Sequence, residues 1–191
     1  MPWVQNEKFY KESLKGNLMK EIVCLMLQES GYQVIPYGYE ITLTGLSEKL
    51  RRIPKERSET VRRIRASPDL LVYRPKKSVG NGWNEVDDLM LVEVKMRSIY
   101  AGQTVRIDSE LIKDYKEFWK DSILLIVVPK DDIFYAQYMK ELDDTKDSHL
   151  TGDFKKIQCI FKRLAENNGI LNKYKMKAKI ILEATMIANS A

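Results

Sequence analysis

A single histidine, His149, and two cysteines, Cys24 and Cys159, are all the imidazole and thiol that this 191-residue chain carries. That scarcity excludes histidine-rich zinc sites. It also leaves a Ser-His-Asp or Cys-His centre only one imidazole to draw on, and His149 sits in the polar stretch 143–153, which reads as a solvated loop. Cys24 falls in an apolar helical run, so no disulfide framework is expected. Long apolar runs are missing as well. Ile123 to Val128 is six residues, the size of a buried strand and far short of a membrane span. The start of the chain lacks the basic-then-apolar pattern of a signal peptide, so the expectation is a cytoplasmic protein with no membrane partner. Internal repeats, low-complexity segments and long linkers are absent, and no nucleotide cofactor is expected.

What is present is an ordinary globular composition, 44% hydrophobic, with a net charge of +5. The length fits one domain over 1–191, with a core at about 7–129 and a C-terminal extension over about 130–191. The spacing predicts a long helix over 7–29, capped by Asn6 and closed by Gly31. At 100° per residue Leu14, Leu18, Ile22 and Leu25 form one stripe, and Glu21 falls inside it. A carboxylate on the core-facing side of a helix needs a partner, because burying it alone is costly. A strand over 32–43 bends near Pro36 and Gly38. Strands at about 67–74 and 89–96 flank a turn-rich segment. Asp108 and Ser109 can cap a helix over 109–120, and the apolar run 123–128 reads as a strand covered on both faces. Further elements are expected as a strand at 133–139, a helix at 153–167 and a helix at 171–188.

Chemistry concentrates in two strings, Ser67-Pro68-Asp69-Leu70-Leu71-Val72 and Leu91-Val92-Glu93-Val94-Lys95. Strand side chains alternate faces, so Glu93 and Lys95 share one face while Val92, Val94 and Met96 point to the other. Gly80-Asn81-Gly82 is the strongest turn signal between the strings, and position 81 is midway between Asp69 and Glu93. A hairpin centred there sets the two carboxylates opposite each other, which is destabilising unless a cation lies between them. With thiol and imidazole scarce, oxygen ligands dominate, which points to Mg²⁺, with Mn²⁺ able to substitute.

From Lys49 to Arg65 the chain carries eight basic residues, six of them arginines: Arg51, Arg52, Arg57, Arg62, Arg63 and Arg65. Alone, such a run is a solvated face. Leading directly into the Asp69 strand, it is placed to contact phosphates. Arg97 shares the strand face of Lys95 and is read either as a further phosphate contact or as a surface arginine. Lys155, Lys156, Lys162 and Arg163 are read as the solvated side of a helix.

Pro68-Asp69 followed by Glu93-Val94-Lys95, on consecutive strands behind an acid-bearing helix and ahead of a helix and strand, resembles the PD-(D/E)XK nuclease superfamily. Lys15-Gly16 and Glu29-Ser30-Gly31-Tyr32-Gln33-Val34 look most like archaeal Holliday-junction resolvases and their viral or plasmid relatives. Glu21 stands about one residue closer to Gly31 than that pattern has it. Asp69 and Glu93 are further apart than in compact resolvases, and neither the arginine-rich insert nor the last 60 or so residues has a counterpart there. The resemblance implies a restriction-endonuclease-like αβββαβ core with a central mixed sheet flanked by helices, plus a C-terminal helical extension. It implies Mg²⁺ held by Asp69, Glu93 and the Val94 carbonyl, with Glu21 acting through water or on a second ion, and Lys95 orienting the attacking water. The implied activity is hydrolysis of DNA to a 5′-phosphate and a 3′-hydroxyl, on duplex or branched substrates, by a homodimer. The alternative is an inactive nucleic-acid-binding module with the same fold.

Overall fold

The computed structural model describes residues 3–39, 49, 58–75, 86–97, 106–128, 133–146 and 148–187. In chain order these give α1 (Trp3–Glu29), β1 (Gln33–Pro36), α2 (Glu59–Arg65), β2 (Leu70–Pro75), β3 (Val86–Met96), β4 (Arg106–Ile107), α3 (Ser109–Trp119), β5 (Ile123–Val127) and β6 (Phe134–Tyr138). They continue with β7 (Ser148–His149), α4 (Leu150–Asp153), β8 (Lys155–Lys156), α5 (Lys162–Glu166) and α6 (Asn168–Ile187). The architecture is α/β. Six strands pair in the order β1-β2-β3-β5-β6-β8, parallel between β3 and β5 and antiparallel elsewhere, and β4 pairs with β7 separately. Among the described residues, no helix is long and apolar enough to cross a membrane.

The mixed sheet has a core on each face, and strand alternation decides which residue goes where. Val92 and Val94 of β3 and Ile123, Leu125 and Val127 of β5 point to one side. There they meet Met19, Ile22, Val23, Met26 and Leu27 of α1 and Leu171, Tyr174, Ala178 and Leu182 of α6. Leu124, Ile126 and Val128 point the other way, onto Ile112 and Tyr115 of α3. β5 is therefore buried on both faces, as its unbroken apolar run predicts. The other face of β3 carries Glu93 and Lys95, with Leu91 preceding them.

Local signals explain several boundaries. Gly31 has φ 85°. Its N–H bonds the Gln28 carbonyl at 2.9 Å and the Tyr32 N–H bonds Leu27 at 3.0 Å, the paired bonds of a Schellman stop. Asp108 caps α3 by accepting from the Glu110 N–H at 2.9 Å. Ser58 caps α2 through the Val61 N–H.

Four expectations are corrected. α1 begins at Trp3, so Asn6 lies within the helix rather than at its start. The buried face of α1 is the Met19, Ile22, Val23, Met26, Leu27 side, whereas Leu14, Leu18 and Leu25 are exposed and Glu21 is exposed with them. The helix is apolar on more than one side, and the sheet and α6 select which side is buried. The segment 153–167 is not one helix. Lys155 and Lys156 pair with Ala136 and Tyr135 at the sheet edge, and a 3₁₀ turn at Ile157–Cys159 and α5 follow. Its apolar residues Phe154, Ile157, Phe161 and Leu164 are buried all the same. Finally, the C-terminal third is no appendage: β6 and β8 extend the sheet, and α6 packs on α1. Lys173 bonds Glu29 at 2.7 Å and the Tyr174 hydroxyl bonds it at 2.9 Å, while Arg163 donates to the Gly31 carbonyl at 2.6 Å.

Candidate active site

The β2–β3 register runs Leu70↔Val92, Leu71↔Leu91 and Val72↔Met90, with an irregularity only beyond Val72. Continued by one residue it sets Asp69 opposite Glu93, the pairing that the hairpin count predicts. The Gly80-Asn81-Gly82 turn itself lies outside the described residues. Asp69 is anchored from both ends of the residue. Its carbonyl accepts the N–H groups of Tyr37 (2.8 Å) and Gly38 (3.2 Å). Its Oδ2 accepts the Val94 N–H at 2.9 Å, fixing the side chain against β3. Its Oδ1 is 2.6 Å from the Lys20 ammonium of α1.

Glu93 is 1% exposed. Its Oε1 is paired with the Lys95 ammonium, two residues along the same strand face. Its Oε2 is buried and has no hydrogen-bond partner among the described residues. Burial pushes the carboxyl up to about 7, the charge of Asp69 adds to the rise, and the Lys95 charge and the nearby Tyr115 hydroxyl oppose it. Tyr115, on α3, is raised in its turn by burial and by the Glu93 charge, so it stays a neutral hydroxyl at the edge of the site.

These groups line a cleft of about 490 Å³ together with Glu21, Asn17 and Cys24 of α1 and with Tyr39, Arg65 and Ser67. Glu21, Asp69, Glu93 and Lys95 are thus all brought to one cavity. Glu21 arrives there from the exposed side of α1 rather than from the core. A larger groove of about 990 Å³ shares Tyr39, Arg65, Lys95 and Tyr115 with this cleft and runs along α3.

The arginines separate into different roles. Arg65 lines the cleft. Arg62 does not reach it: its guanidinium bonds Asp114 at 3.0 Å and Glu117 at 2.5 Å and lies 5.3 Å from the centre of the Phe118 ring. Arg63 stacks over Trp119 at 5.7 Å. Both therefore clasp α2 to α3. Arg97 extends the β3–β5 ladder through its N–H to the Val127 carbonyl, and its guanidinium bonds the Met96 carbonyl at 3.0 Å. Arg51, Arg52 and Arg57 lie outside the described residues.

Two carboxylate side chains suit a hard divalent cation, which commonly takes one or two carboxylates and completes its shell with water and phosphate oxygen. The unpartnered Glu93 Oε2 beside a second carboxylate fits such an ion, since a buried carboxylate oxygen is costly without one. Among the described residues no three His, Cys, Asp or Glu side chains come close enough to hold a metal by themselves. Glu21 stands at the wall of the cleft.

Lys20 and Tyr115 carry little signal in the sequence. Lys20 is adjacent to Glu21, which was its only signal. Tyr115 recurs at helical spacing with Leu111, Ile112, Phe118 and Trp119 and reads as core; only its hydroxyl hints at the site. No protein-family model matches the chain, and no curated protein matches it at a significant level.

Proposed function

We propose that this protein is a metal-dependent DNA endonuclease of the PD-(D/E)XK type, hydrolysing phosphodiester bonds in duplex or branched DNA. One observation carries the reading: a buried carboxylate with an unpaired oxygen faces a second carboxylate, and a lysine from the same strand face closes the group. The order α1, β1, β2, β3, α3, β5, with α2 and β4 inserted into it, supports the same assignment. The reading of the fold as a restriction-endonuclease-like core belongs to this proposal.

Asp69, Glu93 and the Val94 carbonyl would hold Mg²⁺ or Mn²⁺, which would supply an acidified water and neutralise charge growing on the phosphate. The chain's own groups then have distinct tasks. Glu93 must lose its proton to become a ligand, and burial raises that proton's pKa to about 7 in the cation-free protein, so a cation would compete with the proton for this carboxylate. Lys95 orients the attacking water and stabilises negative charge at the phosphate oxygens. Asp69 is held in place by the Val94 N–H, so its carboxylate is positioned before substrate arrives. Arg65 faces the cleft and is suited to a phosphate flanking the one that reacts. Glu21, at the wall, is suited to act through water. A twofold dimer would offer two such clefts to a branched DNA.

A second reading, a nucleic-acid-binding module without hydrolysis, is favoured by one feature. Lys20 and Lys95 already offset Asp69 and Glu93. Cleavage assays on junction, flap, duplex and single-stranded DNA with Mg²⁺, Mn²⁺ or chelator separate the two. The nuclease reading expects metal-dependent products that Asp69→Asn and Lys95→Ala each abolish. Wild-type rates in both variants would remove the assigned centre, and DNA binding without cleavage under either metal would establish the second reading.

A further inference from the structure

Lys20 has no part in the hydrolytic scheme, yet its ammonium sits hard against Asp69. Its ammonium is 2.6 Å from Oδ1 on a side chain that is 31% exposed. The other oxygen, Oδ2, is committed to a main-chain N–H that belongs to the sheet. The two contacts differ in kind. The Val94 bond cannot move without the strand, whereas a lysine side chain reorients about four single bonds. A cation that uses Asp69 Oδ1 therefore meets Lys20 first.

Charge across the cleft points the same way. Its lining carries Lys20, Arg65 and Lys95 against Glu21, Asp69 and Glu93, three charges of each sign when all are ionised. A balanced cleft offers little net attraction to a polyanion. A divalent cation would leave it positive and would repel the lysine nearest to it.

We propose that Lys20 exchanges partners: Asp69 holds it in the cation-free protein, and it turns to a phosphate of the nucleic acid when a divalent cation binds. Cation and nucleic-acid affinity are linked through this one side chain, each strengthening the other as linkage requires. The inference rests on the metal-dependent reading above.

The test uses the full chain and does not depend on turnover. Mn²⁺ binding is titrated by the electron paramagnetic resonance signal of the free aquo ion, without DNA, for wild type, Lys20→Met, Lys20→Arg and Asp69→Asn. Binding of a fluorescent DNA duplex is followed by anisotropy in Ca²⁺ and in chelator. Lys20→Met is expected to tighten Mn²⁺ about five-fold and to weaken DNA in Ca²⁺ about five-fold, the scale of one partly exposed ion pair. Lys20→Arg is expected to return both toward wild type. The signature is opposite signs for the two ligands with the DNA loss confined to Ca²⁺: a merely structural lysine would weaken both ligands, and a lysine fixed in place would weaken DNA equally in Ca²⁺ and in chelator. Unchanged or weaker Mn²⁺ binding in Lys20→Met overturns the exchange while leaving the metal site standing. Wild type without an Asp69-sensitive Mn²⁺ site overturns the metal reading and this inference with it. Should Lys20→Met fail to melt cooperatively, Lys20→Gln is titrated in its place against the same criteria.

Discussion

Glu93→Gln should make the protein more stable and inactive at the same time, and the size of the gain should depend on pH. The carboxyl of Glu93 rises from 4.5 to about 7 on folding, chiefly through burial. Below pH 4.5 the folded and unfolded chains both hold the proton, and the group costs nothing extra. Between 4.5 and about 7 the unfolded chain has released it while the folded protein keeps it. Stability therefore falls as pH rises through this window, at about 1.4 kcal/mol per pH unit, to a total of about 3 kcal/mol. The amide has no such proton and keeps an acceptor for Lys95, which is 28% exposed and retains part of its hydration. The variant should thus match wild type near pH 4.5 and exceed it by up to about 3 kcal/mol at pH 8, or about 9 °C in melting temperature for a chain of this size. Urea unfolding of both proteins at pH 5, 6, 7 and 8 measures the difference. A gap that does not widen with pH, or a variant less stable than wild type at pH 8, would refute the assignment of Glu93 as a strained, buried acid.

Other perturbations separate the roles of neighbouring residues. Tyr115→Phe removes a hydroxyl that favours the ionised form of Glu93; the carboxyl should rise further, moving the acid limb of the cleavage profile to higher pH with little change on the alkaline side. Arg65→Ala should weaken DNA binding more than Arg62→Ala does, since Arg65 lines the cleft. Arg62→Ala should act chiefly on stability, because Arg62 is bound to Asp114 and Glu117 on α3, and its loss should lower the melting temperature more at low salt than at high salt. Equal effects of the two arginine variants on DNA affinity would return both to the role that sequence alone assigns.

The orphaned Glu93 oxygen and the apolar residues around it are two sides of one arrangement. β3 buries Val92 and Val94 in the core beneath α1 and thereby forces Glu93 and Lys95 onto the other face. On that face α3 covers β5 with Ile112 and Tyr115 and leaves the end of β3 to polar groups. Hydrophobic burial on one side is what holds a costly carboxylate on the other. A site of this kind is strained by design, and the expected gain in stability on neutralising it follows from that.

The pairing of Asp69 with Glu93, the common face of Glu93 and Lys95, the cap at Asp108 and the doubly buried β5 were all legible in the sequence. Each rests on a short-range rule: a period of two, a turn midway between two strands, or a capping side chain beside its own helix. The face of α1 that is buried, and with it the exposure of Glu21, was not. Leu14, Leu18 and Leu25 are as apolar as Met19, Val23 and Met26, so the helix alone has no unique inner side. Only the sheet beneath it and α6 beside it break the tie. Arg62 and Arg63 belong to the same long-range class, since their partners on α3 are about 50 residues downstream, as does Lys20, which finds Asp69 across the junction of α1 and β2. Periodicity along a chain fixes which side chains share a face. Which face meets which neighbour is decided by packing between elements far apart in sequence, and that is where this protein sorts its arginines and lysines into fasteners and groups that face the cleft.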